Sequence, residues 1–301
     1  MSEPTSSGPA RIELADATVT IIGLGLLGGS IGMALDGQCA RRIGVVRTGD
    51  VTASSAALER GAVDHVDELD RAVAAADLVI IATPVEAAVE LLPRVAAHLA
   101  PGAVLTDVAS TKRVVVEAMR VLDPPVLAYG GHPMRGGIDH GIDHARGDLT
   151  RGGAWALCEA HDPDGIARAL LQQLLVAVNA TPVWIDADAH DAIVAHTSHL
   201  PYVVAQAVAH AVRTEDDCGL AGAGLDGAVR MARGDVDMWS GVLRTNAEHV
   251  LRAIEHLRQQ LDIATTRIAA GGPLGELDGW LDEGRVLALG DEAATPGTLP
   301  G

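Results

Sequence analysis

A glycine-rich segment constrains the fold of this chain more than any other feature. Residues 23–30, GLGLLGGS, follow an apolar run at residues 19–22 and precede a stretch of helical character, which is the context that a dinucleotide-binding GxGxxG motif requires. In such a motif Gly23 permits a tight turn, Gly25 lets the main chain approach a pyrophosphate, and Gly28 permits close packing of helix on strand. The free N–H groups at the start of the helix face the phosphates. The predicted cofactor loop therefore consists of Gly23, Gly25, Leu26, Leu27 and Gly28.

Short apolar runs alternate with stretches of helical length over the first half of the chain. Such alternation predicts βαβ units on a largely parallel sheet, and hence an α/β Rossmann-type dinucleotide-binding domain. Ligands of these sheets lie at the carboxyl ends of the strands. Thr83, Pro84 and Asp107 follow predicted strands and are therefore predicted to contact the cofactor. The six predicted strands are residues 19–22, 43–46, 78–82, 103–106, 126–129 and 154–157.

The hydrophobic pattern changes to a helical period after residue 158. Residues 163–178 are predicted to form one amphipathic helix, and residues 183–185 a short strand. Apolar residues recur every three or four positions in residues 186–212, where Pro201 is expected to kink or break the helix, and again in residues 237–268. Long helices with one broad apolar face bury it against each other or against a second subunit. We therefore predict an all-α dimerisation domain and a homodimer.

Two domains are predicted between polar ends of the chain. Residues 17–160 form the dinucleotide-binding domain, and residues 161–270 form the helical substrate and dimerisation domain. Residues 1–16 are expected to be flexible. The tail over residues 271–301 is rich in glycine, proline and acidic residues, and its end is expected to be disordered.

Net charge and composition exclude some classes of partner. The formal net charge of −18 argues against nucleic acid, because a phosphate backbone needs a basic face. An anionic small-molecule substrate must then be held by individual arginines. The cysteines Cys39, Cys158 and Cys218 are far apart and lack CxxC spacing, and no apolar run reaches the length of a membrane span. We therefore expect a cytoplasmic protein without a disulfide framework or a membrane segment.

The end of the second strand bears on the choice between NAD and NADP. NAD-binding folds usually place an Asp or Glu there, about 20 residues after the glycine motif, to hold the ribose 2′-hydroxyl. This chain has Arg47 at that position, and an arginine suits a 2′-phosphate, which favours NADP slightly. Asp50 could instead reach back to the ribose, and Arg47 could be a solvated surface residue. The sequence leaves both cofactors open.

Two polar segments follow the fourth and fifth predicted strands and should border the nicotinamide. The first is residues 106–112, TDVASTK, and the second is residues 130–136, GGHPMRG. Histidine suits general base catalysis because its ordinary pKa lies near the working pH, so His132 is a candidate base and Ser110 a candidate partner. A structural histidine in a Gly/Pro turn is the alternative for His132.

Five segments together resemble the prephenate/arogenate dehydrogenase family. GLGLLGGS, DVASTK at residues 107–112, GGHPM at residues 130–134 and SHLPY at residues 198–202 occur in the family's order and spacing. Residues 222–239 resemble its substrate-binding segment, and the likeness extends over residues 17–268. The resemblance implies a dehydrogenase that oxidatively decarboxylates prephenate to 4-hydroxyphenylpyruvate in tyrosine biosynthesis, with hydride transfer to NAD or NADP.

The resemblance also implies roles for individual residues. His132 would take the proton from the C4 hydroxyl of the substrate, and Ser110 would hydrogen-bond near it. Arg230 would bind a substrate carboxylate, although an ion pair with Asp226 or Asp235 is its alternative. The other substrate-binding residues implied are His190, His199, Tyr202 and Trp239. For Trp239 a place in the core, and for the histidines a helix interface, are the alternatives.

Some positions depart from the family pattern and keep the substrate open. Tyr202 stands where the family often has a second histidine that recognises the substrate side chain, and Arg135 follows HPM in place of a small residue. Arogenate and 4-amino-4-deoxyprephenate therefore remain alternatives to prephenate.

Other classes of protein fit the sequence less well. A β-hydroxyacid dehydrogenase would need a lysine in its helical part, and Lys112 is the only lysine in the chain. A non-catalytic dinucleotide sensor would not need His132, Ser110 and Arg230 together. No metal is expected, because pairs such as His196 with His199, or His140 with His144, lack a third ligand.

Overall fold

An eight-stranded sheet forms the centre of the first part of the chain. The computed structural model describes residues 12–123, 125–137, 139–212, 221–270 and 275–289. The six predicted strands are confirmed to within a few residues, the short strand predicted at residues 183–185 corresponds to β8, and β3, which was not predicted, completes the sheet. The strands are β1 Thr18–Ile22, β2 Arg41–Val45, β3 His65–Val66, β4 Leu78–Ile81, β5 Val104–Asp107, β6 Leu127–Pro133, β7 Ala154–His161 and β8 Thr181–Trp184.

The sheet order is β3-β2-β1-β4-β5-β6-β7-β8. All neighbours are parallel except β6 and β7, which are antiparallel. The central strands read as continuous apolar runs because both faces are covered: Ile21 and Ile80 face one core, while Ile22 and Ile81 face the other. The predicted α/β Rossmann-type fold is confirmed, and the carboxyl ends of β1, β4, β5 and β6 lie along one edge of it.

Six helices connect or cover the strands. The predicted amphipathic helix at residues 163–178 is confirmed as α6, whose apolar face includes the buried Leu170, Leu171 and Leu174. The six helices are α1 Leu26–Ala34, α2 Val51–Glu59, α3 Leu69–Ala74, α4 Val85–His98, α5 Arg113–Arg120 and α6 Ile166–Ala177.

The later part of the chain is helical, as predicted, and it is interrupted beside Pro201, as expected, and also at Asn246, where no break was predicted. The stretch around Pro201 contains a π-helical turn, Ala195–His199, and Pro201 lies in the first turn of the next helix, where its missing N–H costs no helical bond. The single helix predicted over residues 237–268 is interrupted at Asn246. The helices are α7 Ala187–Val194, α8 Leu200–Ala211, α9 Ala223–Val229, α10 Val236–Thr245, α11 Ala247–Ala269 and α12 Gly275–Leu289, and a 3-10 turn, Arg230–Arg233, follows α9.

The chain divides into two compact units between Val250 and Leu251. The second unit contains most of α11 together with α12, a helix within the tail where no element was predicted. At the other end, residues 1–11 of the predicted flexible segment lie outside the described residues, while Leu14 is buried in a 3-10 turn. Residues 271–274 and 290–301 of the tail, and Cys218, also lie outside them. Among the described helices, none has the length and apolarity needed to cross a membrane.

Candidate active site

The glycine loop between β1 and α1 has the geometry of a phosphate cradle. Gly23 has a φ of +95°, which a side chain would strain, and a Cβ at Gly28 would collide with the carbonyl oxygen of Gly23. Gly25 precedes α1, and a Cβ built there would meet no atom within 4 Å. Gly23 and Gly28 are thus needed for packing, whereas Gly25 borders open space beside the N-terminus of the helix that begins with Leu26 and Leu27.

Thr83 and Pro84 follow β4 next to this loop. Pro84 precedes the first turn of α4, and the methyl group of Thr83 packs close to Gly23. The Thr83 hydroxyl is buried and has no hydrogen-bond partner within the described part of the chain. A buried polar atom without a partner is costly, so this hydroxyl suits a ligand at the loop.

A surface cleft of about 260 Å³ lies at the carboxyl ends of β2 and β3, where the ribose position was predicted. Arg47 is exposed on its rim, with Thr48 and Ser54 beside it. The carboxylate of Asp50 does not reach back toward the strand, because it caps α2 by accepting the N–H of Ala53 at 2.9 Å. Arg47 is therefore the residue at the strand end that keeps a free charge toward the cleft.

A buried ion pair joins the two polar segments at β5 and β6. Lys112 Nζ lies 2.5 Å from Asp107 Oδ2, and both side chains are inaccessible to solvent. Asp107 also accepts the N–H groups of Ala109 (2.8 Å) and Gly131 (2.9 Å), and Lys112 donates to the carbonyl of Gly131 (2.7 Å). Gly131, the residue before His132, is thus bonded at both its N–H and its carbonyl, and a Cβ there would collide with the Asp107 carbonyl. Since the Asp107 carboxylate points inward, any contact of this residue with a cofactor would come from its main chain.

His132 lies at the carboxyl end of β6 and begins a chain of hydrogen bonds. Its Nδ1 is 2.9 Å from Nε2 of His190, and Nδ1 of His190 is 2.8 Å from Oδ1 of Asp191. Asp191 is fully buried and also accepts the main-chain N–H groups of Lys112 (2.7 Å) and Arg113 (3.0 Å). His190, which was predicted to bind substrate, is itself buried and contacts His132. Sequence reasoning missed Asp191, whose only signal was its place next to His190.

The surroundings of His132 keep its ring neutral. Burial lowers the pKa of His132 well below 6.5, and the nearby His190, Lys112 and His199 lower it further. For Asp191, burial raises the pKa, but hydrogen bonds from His190 and from the main chain of Lys112 outweigh it and leave the value below the ordinary one. The sequence suggested a pKa near the working pH for His132, whereas the structure places it lower. At neutral pH the imidazole of His132 is therefore neutral, and the carboxylate of Asp191, on the far side of His190, is ionised.

His199 and two aromatic rings form a second cluster next to this chain. His199 is buried, which lowers its pKa to about 4, and its Nδ1 lies 3.1 Å from Nδ2 of Asn246. The edge of His199 faces Trp239 at 6.1 Å, and Trp239 stacks on Tyr202 at 3.9 Å with an interplanar angle of 7°. The Tyr202 hydroxyl accepts a hydrogen bond from Gln206. Three of the predicted substrate residues thus lie together.

Arg230 and Ser110 stand apart from these hydrogen bonds. Arg230 is exposed in the 3-10 turn after α9, and within the described residues no carboxylate pairs with it. Its two alternative partners are engaged elsewhere: Asp226 lies 4.0 Å from Arg233, and Asp235 caps α10. Ser110 is half-buried just after β5. In the part of the chain that is described, neither residue hydrogen-bonds to His132, and no three His, Cys, Asp or Glu side chains are grouped to hold a metal.

Comparisons with known proteins cover nearly the whole described chain. Residues 31–183 match the family model for the prephenate dehydrogenase nucleotide-binding domain, and residues 186–279 match that for the prephenate dehydrogenase dimerization domain. A prephenate dehydrogenase of Lactococcus lactis is 30% identical over 261 residues, which are 83% of this chain and 71% of the relative.

Solved structures show the same fold. A prephenate dehydrogenase from A. aeolicus, in complex with hydroxyphenyl propionate and NAD⁺, superposes with a TM-score of 0.83 at 24% identity and covers 90% of this chain and 97% of its own. An arogenate dehydrogenase from Synechocystis gives a TM-score of 0.75 at 26% identity, with coverage of 89% and 97%.

Proposed function

Because this chain belongs to the prephenate dehydrogenase family, and is therefore an NAD(P)-dependent dehydrogenase, we propose that it oxidatively decarboxylates prephenate to 4-hydroxyphenylpyruvate. The observation that carries the proposal is the position of His132 and the protonation state of its ring. It is a neutral histidine at the carboxyl edge of the same sheet that bears the glycine loop. A general base at that edge is within the region where a dinucleotide of this fold presents its nicotinamide.

The residues around the glycine loop fit a dinucleotide. Gly25 leaves open space at the start of α1 for a pyrophosphate, and the unpartnered hydroxyl of Thr83 is available to the bound cofactor. The loop, Thr83 and Pro84 would hold the cofactor along the edge that leads to His132. When bound, the nicotinamide supplies the acceptor for the hydride that leaves C4 of the substrate.

The chain's own residues handle the proton and the substrate charge. His132 takes the proton of the C4 hydroxyl, so that C4 becomes a carbonyl carbon as its hydride departs. The bond from the ring to its carboxylate then breaks, CO2 leaves, and the electron pair makes the ring aromatic and its oxygen a phenolate. The proton held by His132 returns to that oxygen. Ser110, between β5 and α5, hydrogen-bonds the same oxygen.

Substrate carboxylates require a cation in a protein with a net charge of −18. Arg230 is exposed and has no carboxylate partner among the described residues, so its guanidinium fork is available to a substrate carboxylate. The cluster of His199, Tyr202 and Trp239 would form one wall of the substrate pocket. Tyr202 stands where the family often has a second histidine that recognises the substrate side chain, so arogenate and 4-amino-4-deoxyprephenate are the alternative substrates.

The cofactor we propose is NADP. Arg47 is exposed at the end of β2 beside Thr48 and Ser54, and its cleft suits a 2′-phosphate. The carboxylate that could have favoured NAD, Asp50, is occupied in capping α2. An arginine pairs with a phosphate through charge-assisted hydrogen bonds, which NAD cannot offer at this position.

A second copy of this chain is the partner we propose for the helical part. Residues 186–279 match a dimerization domain, and in the second unit several large apolar side chains are exposed on α11 and α12. Exposed apolar surface of this kind marks an interface. These side chains are Leu251, Leu261, Ile263, Ile268, Leu281, Val286 and Leu287.

Absorbance at 340 nm tests the reaction directly. Purified protein is mixed with prephenate, arogenate or 4-amino-4-deoxyprephenate, each with NAD and with NADP. Rapid reduction of NADP with prephenate is the expected result. Preference for another acid would mean that this acid, and not prephenate, is the substrate. Preference for NAD would overturn the cofactor proposal. A folded protein that binds a dinucleotide but oxidises none of the acids would be a dinucleotide sensor instead.

A further inference from the structure

We propose that Asp191 and His190 act as positioning residues that fix the tautomer of His132, so that its Nε2 meets the substrate without a proton. This inference deepens the proposed function and rests on it, because a general base must present a free electron pair to the hydroxyl that it deprotonates. The hydrogen-bond chain from Asp191 through His190 to His132 has a direction that follows from its chemistry.

The direction begins at Asp191. Its Oδ1 accepts the N–H of Lys112 at 2.7 Å, and its Oδ2 accepts the N–H of Arg113 at 3.0 Å. Each oxygen therefore already receives a main-chain hydrogen, and an ionised carboxylate can only accept. The 2.8 Å contact with His190 must then be a bond donated by Nδ1 of His190 to Oδ1 of Asp191.

With a single proton, the one that Nδ1 donates to Asp191, the His190 ring has an electron pair on Nε2. This atom lies 2.9 Å from Nδ1 of His132 and accepts a hydrogen from it. With its proton on Nδ1, the neutral ring of His132 keeps its electron pair on Nε2. The opposite arrangement would place the proton on Nε2 of His132, and the ring could not then act as a base.

The same chain serves the protonated state. Once His132 has taken the substrate proton, its Nδ1–H still donates to His190, and the buried carboxylate of Asp191 lies at the far end of the chain. The other nearby cation, Lys112, is held by Asp107 and by the Gly131 carbonyl, so it neither donates to His132 nor neutralises Asp191. Asp191 is thus the carboxylate that balances the transient charge.

Asp191 also orients the neighbouring His199. Its carbonyl oxygen accepts a hydrogen from Nδ2 of Asn246 at 2.7 Å, which fixes the orientation of that amide. The second hydrogen of Nδ2 faces Nδ1 of His199 at 3.1 Å, so the proton of a neutral His199 is on Nε2. One residue of α7 therefore holds two histidines in opposite tautomers, with an acceptor at Nε2 of His132 and a donor at Nε2 of His199.

Imidazole ¹⁵N NMR on the full-length protein at neutral pH tests the tautomers without any turnover. Long-range ¹H–¹⁵N correlations distinguish Nδ1–H from Nε2–H rings, and His132→Asn and His199→Gln assign the two signals. The expected result is Nδ1–H for His132 and Nε2–H for His199. A proton on Nε2 of neutral His132, or a doubly protonated His190, would overturn the proposal.

Two variants of His190 test the consequence for the reaction. In His190→Gln the amide oxygen can accept from His132 while its NH2 group faces Asp191, whereas His190→Leu provides neither bond. We expect kcat to fall by about 10²-fold in the Leu variant and by less than about tenfold in the Gln variant, with the Kd of the cofactor unchanged in both. A structural role alone would lower kcat equally in both, and a substrate-binding role would raise KM and leave kcat unchanged; either result would overturn the proposal.

Failure of the tautomer proposal and failure of the proposed function would give different results. If the wild-type protein oxidises a cyclohexadiene acid and His190→Leu retains full kcat, the tautomer proposal is wrong and the function stands. If the wild-type protein oxidises none of the acids, the proposed function is wrong, and the NMR measurement still decides the tautomers.

Discussion

The region around His132 and the cleft around Arg47 lie at two places along the same edge of the sheet and are built in opposite ways. Around His132 the charged groups Asp107, Lys112 and Asp191 are fully buried, and each has several hydrogen-bond partners. In the cleft the Arg47 side chain is exposed, and the nearby ion pair of Arg71 with Asp67 is largely open to solvent.

Proton transfer needs a fixed geometry, whereas recognition of a phosphate does not. A group that moves a proton must have its own hydrogens in known places, and only a buried, fully paired network provides that. Recognition of a phosphate needs charge and a fork of donors, which an exposed arginine supplies. Burial without pairing would be costly, so the first region has to satisfy each of its charges.

His132→Asn should give the largest effect in the buried region. We expect kcat to fall by a factor on the order of 10² to 10⁴, because the general base is lost, while the Kd of the cofactor stays near the wild-type value. Steady-state kinetics at 340 nm and fluorescence titration with the cofactor measure the two quantities. Unchanged turnover would remove His132 from the mechanism.

The pH profile of the wild type tests the same residue. Because the pKa of the His132 ring is lowered, kcat/KM should stay level as pH falls below 6.5, and should decline only at more acidic pH.

Lys112→Met tests the buried pair and should destabilise the fold by about 3–5 kcal/mol, since Asp107 would remain as a buried charge without its partner. Arg71→Gln is the matched control at the exposed cleft, where removing an ion pair open to solvent should leave the unfolding transition unchanged. Urea unfolding followed by circular dichroism measures both. Equal effects of the two substitutions would contradict the contrast between the regions.

The pH dependence of stability tests the buried histidine His199. Its pKa is lowered to about 4 in the folded protein against about 6.5 when unfolded, so protons favour the unfolded state as pH falls below 6.5. The free energy of unfolding should therefore fall by about 2 kcal/mol between pH 7.5 and pH 5 because of this ring. His199→Gln should lose less over this window, whereas His210→Gln, on the exposed face of α8, is the matched control and should follow the wild type.

Arg47→Ala should give the smallest effect and should act on one cofactor only. We expect the KM for NADP to rise about tenfold, because one charge-assisted contact with the 2′-phosphate is lost, while the KM for NAD remains unchanged. Kinetics with both cofactors in the same variant provide the internal control. If both KM values rose alike, Arg47 would contact a part shared by the two cofactors.

Sequence patterns predicted the elements well where the signal is local and continuous. The strands β1 and β4 were evident because each is an uninterrupted apolar run next to turn residues. The two-residue strand β3 is too short to give a pattern, and α12 lies in a segment whose glycines and charges resemble a loop. The break at Asn246 was missed because the helical period continues through it, while the side chain leaves the helix pattern to reach Asp191 and His199.

The candidate site was predicted in part. His132, Ser110 and the aromatic pair of Tyr202 with Trp239 came from motifs, and the last two do stack in the fold. The roles of Asp107 and His190 could not be derived in this way, because the sequence does not tell whether a polar side chain points to a ligand or into the protein. Asp107 contacts Gly131, which is 24 residues away, and His190 contacts His132, which is 58 residues away.

The glycine loop and the sheet that presents it could be predicted from local sequence, because a turn, a strand and a helix start depend on neighbouring residues. Which histidine accepts a proton and which donates one depends instead on the packing of the folded chain. That choice follows from hydrogen bonds that α7 makes with the start of α5 and with the end of β6, and the direction of such bonds depends on how distant segments pack.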